Sequence, residues 1–185
     1  NLPAAPALMG NTVVWKPASS AMLSAYYVMR LLETAGLPPG VINFLPGDAR
    51  QITDALLEHP DVKAISFVGS TPIAHKIYEI GARHGKRVQA LGGAKNHMVV
   101  MPDADMDQAV DALIGSAFGS AGERCMAISV GILVGEAADR IMDKLAERTK
   151  ALKVKNGVEL DAEMGPIVSK VAQERITGYI GQGEK

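Results

Sequence analysis

The stretch VKAISFVGSTPIAHKIYEIGARHG, Val62–Gly85, decides the fold because its hydrophobic spacing changes in the middle. Its first part is a short apolar run that reads as a strand, and its second, TPIAHKIYEIGARHG, has the apolar spacing of a helix. Between them, SFVGST (Ser66–Thr71) ends the strand in a Gly-Ser-Thr turn that opens the helix. Such a turn presents free backbone amides and a positive dipole end to an anion. It reads either as a phosphate seat or as an ordinary N-cap, since it is not a full G-x-G-x-x-G motif.

The same strand-then-helix unit recurs outward in both directions. Upstream, TVVWKP (Thr12–Pro17) reads as a strand stopped by proline. SSAMLSAYYVMRLLETAG then reads as a helix, with Ser19 or Ser20 as N-cap and Gly36 as C-cap. GLPPG turns the chain into the strand VINFLP, followed by the helix-like ARQITDALLEH. Downstream, KRVQALGG and HMVVM are short strands and DADMDQAVDALIGSAFGSAG is a long helix with acidic residues in its first turn. AISVGILVG and EAADRIMDKLAERTKAL form another strand and helix, and KVKNGVELDAEMGP breaks the pattern as an irregular crossing. Strands separated by helices of this length predict βαβ units, that is, an α/β fold with a doubly wound parallel sheet. The chain starts without methionine and stops in a polar stretch, so it is expected to be the central fragment of a longer chain.

Composition narrows the partners. A formal net charge of -1, with Lys and Arg dispersed, leaves no electrostatic footprint for nucleic acid or an acidic membrane. No apolar run is long enough to span a bilayer, and the first residues lack a charged n-region, so neither a membrane anchor nor a targeting signal is expected. One cysteine allows no internal disulfide or Cys-rich zinc site, and the four histidines lack ligand spacing. A reducing compartment follows: the cytoplasm, or the mitochondrial matrix of a eukaryote. No metal is expected.

That single cysteine, Cys125, sits in GSAGERCMA (Gly119–Ala127) and is either packing material or a nucleophile. Lys16 ends its strand where parallel sheets place ligands, or is a solvated lysine before proline. LGGAK (Leu91–Lys95) suits a close backbone approach to a ligand, or is a plain turn. His97 reads as a hydrogen-bonding structural residue, and Asp103, Asp105 and Asp107 as the acidic first turn of a helix.

Taken in order, the opening NLP, then GNTVVWKP, GLPPGVINFLPG, FVGST, LGG and GERCMA resemble the aldehyde dehydrogenase superfamily over nearly the whole chain. The resemblance implies an aldehyde dehydrogenase-like fold, with residues 1–91 part of an NAD-binding Rossmann-like domain and 92–185 part of a catalytic domain. It implies Cys125 as nucleophile and Asn1 as an oxyanion-hole amide. Lys16 would hold the adenosine ribose, Gly47, Gly69 and Ser70 would pack against the dinucleotide, and Leu91 would border the nicotinamide. Ser19 stands where many members carry a ribose-binding glutamate, which leaves NADP open beside NAD. A homo-oligomer is expected for the full-length protein.

From about Val62 onward the chain looks like the CoA-acylating methylmalonate-semialdehyde dehydrogenase branch. Residues 1 to about 60 look more like the 1-pyrroline-5-carboxylate dehydrogenase branch, so the chain reads as a mosaic. In hydrolytic members a glutamate immediately before LGG activates water; here that position is Ala90. A methyl group takes no proton, so an external thiol, CoA, is the expected acyl acceptor. Arg124, beside Cys125, would favour the thiolate and, on the resemblance, hold the carboxylate of a semialdehyde substrate; the plainer reading pairs it with Glu123 or solvent. The expected activity is NAD(P)-dependent oxidation of malonate or methylmalonate semialdehyde with transfer to CoA. The rivals are a hydrolytic dehydrogenase of glutamate or succinate semialdehyde, and an inactive fragment that folds only within a longer chain.

Overall fold

The structure is a computed structural model and describes residues 2–185. The chain divides into two compact units, one running through Gly93 and one over Ala94–Lys185.

In the first unit a short helix α1 (Ala4–Leu8) precedes β1 (Val13–Trp15), α2 (Met22–Thr34), β2 (Ile42–Phe44), α3 (Ala49–Glu58), β3 (Ala64–Val68), α4 (Thr71–Arg83) and β4 (Arg87–Leu91). β1 pairs parallel with β2 and β3 with β4, each pair a separate two-stranded sheet. Parallel neighbours cannot be joined by a tight hairpin, so helices α2 and α4 carry the chain back between them. Apolar residues one helical turn apart give α4 its buried side, with Ala74, Ile77 and Gly81 buried. A Cβ on Gly81 would come within 2.6 Å of Val88 Cγ2, so glycine lets α4 lie directly on β4.

The second unit runs β5 (Asn96–Val100), α5 (Met106–Phe118), β6 (Ile128–Leu133), α6 (Ala137–Lys150) and α7 (Lys170–Gly183), with β5 and β6 parallel. Its core is the stripe Met106, Ala109, Val110, Leu113 and Ile114 of α5, packed with Val100, Ala137 and Ile141. The spacing is that of one helix face, and the polar face answers with Asp107–Lys144 at 2.6 Å and Asp111–Arg148 at 3.4 Å between α5 and α6. Exposed pairs of this kind contribute at most about 1 kcal/mol each, so the apolar stripe decides the packing.

Three helix starts are capped by a side chain, and the elements depart from the sequence reading at several points. Asp48 accepts from Gln51 N, Asp105 from Asp107 N and Gln108 N, and Ser169 from Ala172 N. Ser19 and Ser20 do not cap α2; they lie in a 3-10 turn, Ser19–Ala21, ahead of it. The long helix over Asp103–Gly122 ends at Phe118, because Ser120 and Ala121 take a φ of 53° that no right-handed helix continues through. α7 follows the irregular crossing, where the spacing of apolar residues is weak. No helix among the described residues is long and apolar enough to cross a membrane.

Ile141 is fully buried in the core of the second unit. Ile141→Ala is expected to lower the stability of that unit by about 2–5 kcal/mol through lost transfer energy and the cavity left behind, checked by urea denaturation followed by circular dichroism.

Candidate active site

The residues singled out in the sequence fall into three groups. Gly69, Ser70 and Leu91 meet at the C-terminal edge of β3–β4, where Gly69 N–H donates to the Leu91 carbonyl at 3.1 Å. The Thr71 hydroxyl accepts from Gly93 N–H at 2.9 Å, tying the LGG turn to the first residue of α4. A Cβ on Gly92 would lie 2.9 Å from Thr71 Oγ1 and 3.0 Å from Thr71 Cα, and one on Gly69 would lie 2.5 Å from the tip of the Phe67 ring. The LGG turn therefore depends on bare backbone, while at Gly69 the space of a side chain is taken by the Phe67 ring. Ser70 occupies the N-cap position of α4, but its side chain makes no capping bond. The plain side-chain N-cap is thus not what this serine does. Leu91 is half exposed at the same edge, and Ala90 lies opposite Phe67 in the strand register.

Lys16 and Gly47 form a second group at the corresponding edge of β1–β2. Lys16 directly follows β1, and Leu45 N–H donates to the Trp15 carbonyl at 2.9 Å just before Gly47 leaves the pair. Gly47 has a φ of 149°, open to glycine, and hands over to the N-cap Asp48. Ser19 is exposed in its 3-10 turn. Among the described residues no hydrogen bond joins this group to Gly69, Ser70 or Leu91. Asn1 lies outside the described residues.

The third group is the cysteine loop of the second unit. α5 gives way to Ser120, Ala121 and Gly122, all with positive φ, and the chain then enters a turn with Cys125 and Met126 at its centre. Ala127 N–H closes that turn on the Arg124 carbonyl at 3.0 Å. Peptides are planar and none here is cis, so a carbonyl of Arg124 held on the inside sends the amide of Cys125 to the outside. Cys125 is exposed, and among the described residues its N–H donates to nothing. An exposed thiol and an uncommitted amide on one residue are the two elements that nucleophilic attack on a carbonyl requires.

Arg124 turns back over its own loop. Its Nε donates to Ser120 Oγ at 3.3 Å, and a Cβ on Gly119 would lie 2.9 Å from the guanidinium carbon. Glu123 is not its partner: that carboxylate accepts from Val168 N–H at 3.0 Å. The two outer nitrogens of Arg124 pair with no carboxylate among the described residues, which leaves the two-pronged face of the guanidinium to solvent. Asn96, passed over in the sequence, donates from its side-chain nitrogen to the carbonyls of Cys125, at 2.9 Å, and Ala127, at 3.0 Å. Its neighbour His97 bonds through Nδ1 to the Lys95 carbonyl. Among the described residues no group of three or more His, Cys, Asp or Glu is arranged to hold a metal ion.

Comparison with known proteins identifies the family and the fold. Residues 2–185 match the aldehyde dehydrogenase family. Malonate-semialdehyde dehydrogenase of Pseudomonas aeruginosa is 54% identical over 175 residues, covering 94% of this chain and 35% of its own length. That match necessarily extends to both sides of Val62. The crystal structure of methylmalonate-semialdehyde dehydrogenase from Oceanimonas doudoroffii aligns with a TM-score of 0.84 at 50% identity, covering 95% of this chain and 36% of that one. A Sinorhizobium meliloti 1021 protein assigned to the same enzyme class and crystallised with NAD aligns at 0.85 and 49%, covering 97% and 37%. The chain spans about a third of the length of the curated relatives it matches.

Gly92→Ala is expected to destabilise the first unit by about 1–3 kcal/mol, because the added methyl meets the backbone of Thr71 rather than a side chain that can swing away. Thermal unfolding beside the Gly93→Ala variant, whose methyl would meet only the Thr71 hydroxyl at 3.2 Å, checks it: Gly92→Ala should be the more harmful.

Proposed function

The chain belongs to the aldehyde dehydrogenase family, and from that membership we propose that it carries the nucleophile and part of the dinucleotide site of a semialdehyde dehydrogenase that passes its acyl group to CoA. The observation that carries the reading is the Cys125 turn, with an exposed thiol and an outward amide on the same residue. The Cys125 thiolate attacks the aldehyde carbon; the S–C bond forms and the carbonyl π pair moves to oxygen. The outward Cys125 amide donates to that oxyanion, with the Asn1 side chain as second donor on the resemblance alone. When bound, a nicotinamide dinucleotide supplies the acceptor for the hydride that leaves the former aldehyde carbon. The C=O bond reforms and Cys125 is left as a thioester.

In the first unit the residues fit such a nucleotide. Two turns of bare backbone, a serine hydroxyl not used in capping and the start of a 13-residue helix suit a pyrophosphate, and the half-exposed Leu91 suits the face of a ring. Lys16 and Gly47, at the β1–β2 edge, are assigned to the adenosine end, with Ser19 beside them. NAD is the cofactor named for the Sinorhizobium meliloti relative; NADP is the alternative that Ser19 keeps open. Arg124 offers its outer nitrogens to the substrate carboxylate. With malonate or methylmalonate semialdehyde that carboxylate lies β to the thioester carbonyl, so carbon dioxide is readily lost before transfer. The relatives named for malonate and methylmalonate semialdehydes support this substrate class over glutamate semialdehyde.

Ala90 decides how the thioester is released. With no carboxylate there, no base activates water, and a thiol acceptor attacks the thioester instead, returning the Cys125 thiolate. In the full-length enzyme, NAD and semialdehyde without CoA are expected to give a burst of NADH equal to the active sites and then a slow phase. Adding CoA restores turnover, Cys125→Ala abolishes the burst, and Ala90→Glu raises CoA-independent turnover by up to about 10²–10⁴-fold. Rapid release of free acid by the unaltered enzyme would replace this reading with the hydrolytic one.

Arg124→Leu is expected to raise KM for carboxylate-bearing semialdehydes by the equivalent of about 1.5–3 kcal/mol while sparing simple aldehydes. Steady-state kinetics with both substrate types checks it; equal effects would remove Arg124 from substrate binding.

A further inference from the structure

We propose that Asn96 is the positioning residue of the Cys125 turn, setting the direction from which the thiol and its amide meet the substrate; this rests on Cys125 being the nucleophile. Two peptide planes flank the Cys125 Cα, and fixing both fixes its φ and ψ. The preceding plane is held within the turn by Ala127 N–H on the Arg124 carbonyl at 3.0 Å. The following plane is held from outside the turn, by the Asn96 amide on the Cys125 carbonyl at 2.9 Å. The second hydrogen of the same amide goes to the Ala127 carbonyl at 3.0 Å, so one side chain grips both sides of the turn and ties it to the start of β5.

The local backbone is shaped for this grip. The β5–β6 register passes from Asn96↔Ile128 to His97↔Val130, an irregularity at Asn96 that leaves Ser129 without a partner. The extra residue lies on β6, so β6 bends opposite Asn96, just where the chain comes out of the Cys125 turn. Only an amide suits the place: both targets are carbonyls, an NH2 group offers two donors, and a carboxylate of the same shape offers none. Cys125 and Met126 are exposed while Ala127 is buried, so water can take over the Cys125 carbonyl when the amide is removed, and the Ala127 carbonyl is the one left to adjust. The fold then survives while the aim of Cys125 is lost. Attack on an aldehyde needs both the thiol and the amide in register with the carbonyl, whereas alkylation of the thiol by iodoacetamide builds no oxyanion and needs only the sulfur.

The test compares unaltered, Asn96→Asp, Asn96→Ala and Cys125→Ala forms of the full-length enzyme. Each is measured for the rate of the first-turnover NADH burst, for NAD affinity by fluorescence, and for the rate at which iodoacetamide modifies the Cys125 peptide by mass spectrometry. The expected result is a burst slowed by about 10²–10³-fold in both Asn96 variants, the loss typical of one oxyanion donor, with NAD affinity and alkylation rate unchanged. If Asn96→Asp fails to fold, the burst of Asn96→Ala decides. A burst of normal rate in a folded Asn96 variant, or a burst and an alkylation rate that fall together, overturns the positioning role while leaving the nucleophile intact. A burst that persists in Cys125→Ala overturns the nucleophile itself.

Discussion

Parallel pairing governs everything else in this chain. Two neighbouring strands that run the same way end at the same edge, and the chain must travel back along a helix before it can pair again. β3 and β4 end together, so the Gly69–Ser70–Thr71 turn that opens α4 and the LGG turn that follows β4 are brought side by side and locked by the bonds from Gly69 N and Gly93 N. Lys16 and Gly47 share an edge for the same reason. The backbone amides, hydroxyls and open glycines that suit a ligand are consequences of strand direction before they are properties of any one side chain.

The second unit obeys the same rule but spends its edge differently. Here the return from α5 to β6 is an irregular loop that presents a turn rather than a helix start. The turn is closed by its own hydrogen bond, held from β5 by Asn96 and anchored through Glu123 to Val168. Three independent tethers on so short a loop restrict a segment that is otherwise exposed, which is what a covalent catalyst needs from residues it must keep accessible.

The fold was legible because its signal is periodic. Strand and helix alternation from β1 to α6 follows from hydrophobic spacing, as does the stripe on α5, whereas Asp105, read as a first-turn carboxylate, proves to be the N-cap of α5, and the cap Asp48 went unread. Ser19 and Ser20 misled because two adjacent hydroxyls resemble a cap, while the chain there takes a 3-10 turn first. The end of α5 was hidden because nothing in GSAG demands that Ser120 and Ala121, rather than glycine alone, leave the right-handed region. In the candidate site, Cys125 and its neighbours were singled out through motif order. Asn96 escaped because its contacts are two long-range bonds to backbone carbonyls about thirty positions away, which no side-chain pattern encodes. The one available cue was an amide at the head of a strand that follows a glycine turn.

The left-handed run before the cysteine also carries a conformational cost. Ser120 and Ala121 are L-residues in a conformation that costs roughly 1–2 kcal/mol each, with Gly122 beside them at a φ of 74°. The bonds that offset this cost come from elsewhere in the unit: Asn96 at the head of β5 holds the carbonyls of Cys125 and Ala127, and Glu123 holds Val168. The geometry around the thiol is therefore a property of the assembled unit, and the nine residues of GSAGERCMA do not specify it by themselves.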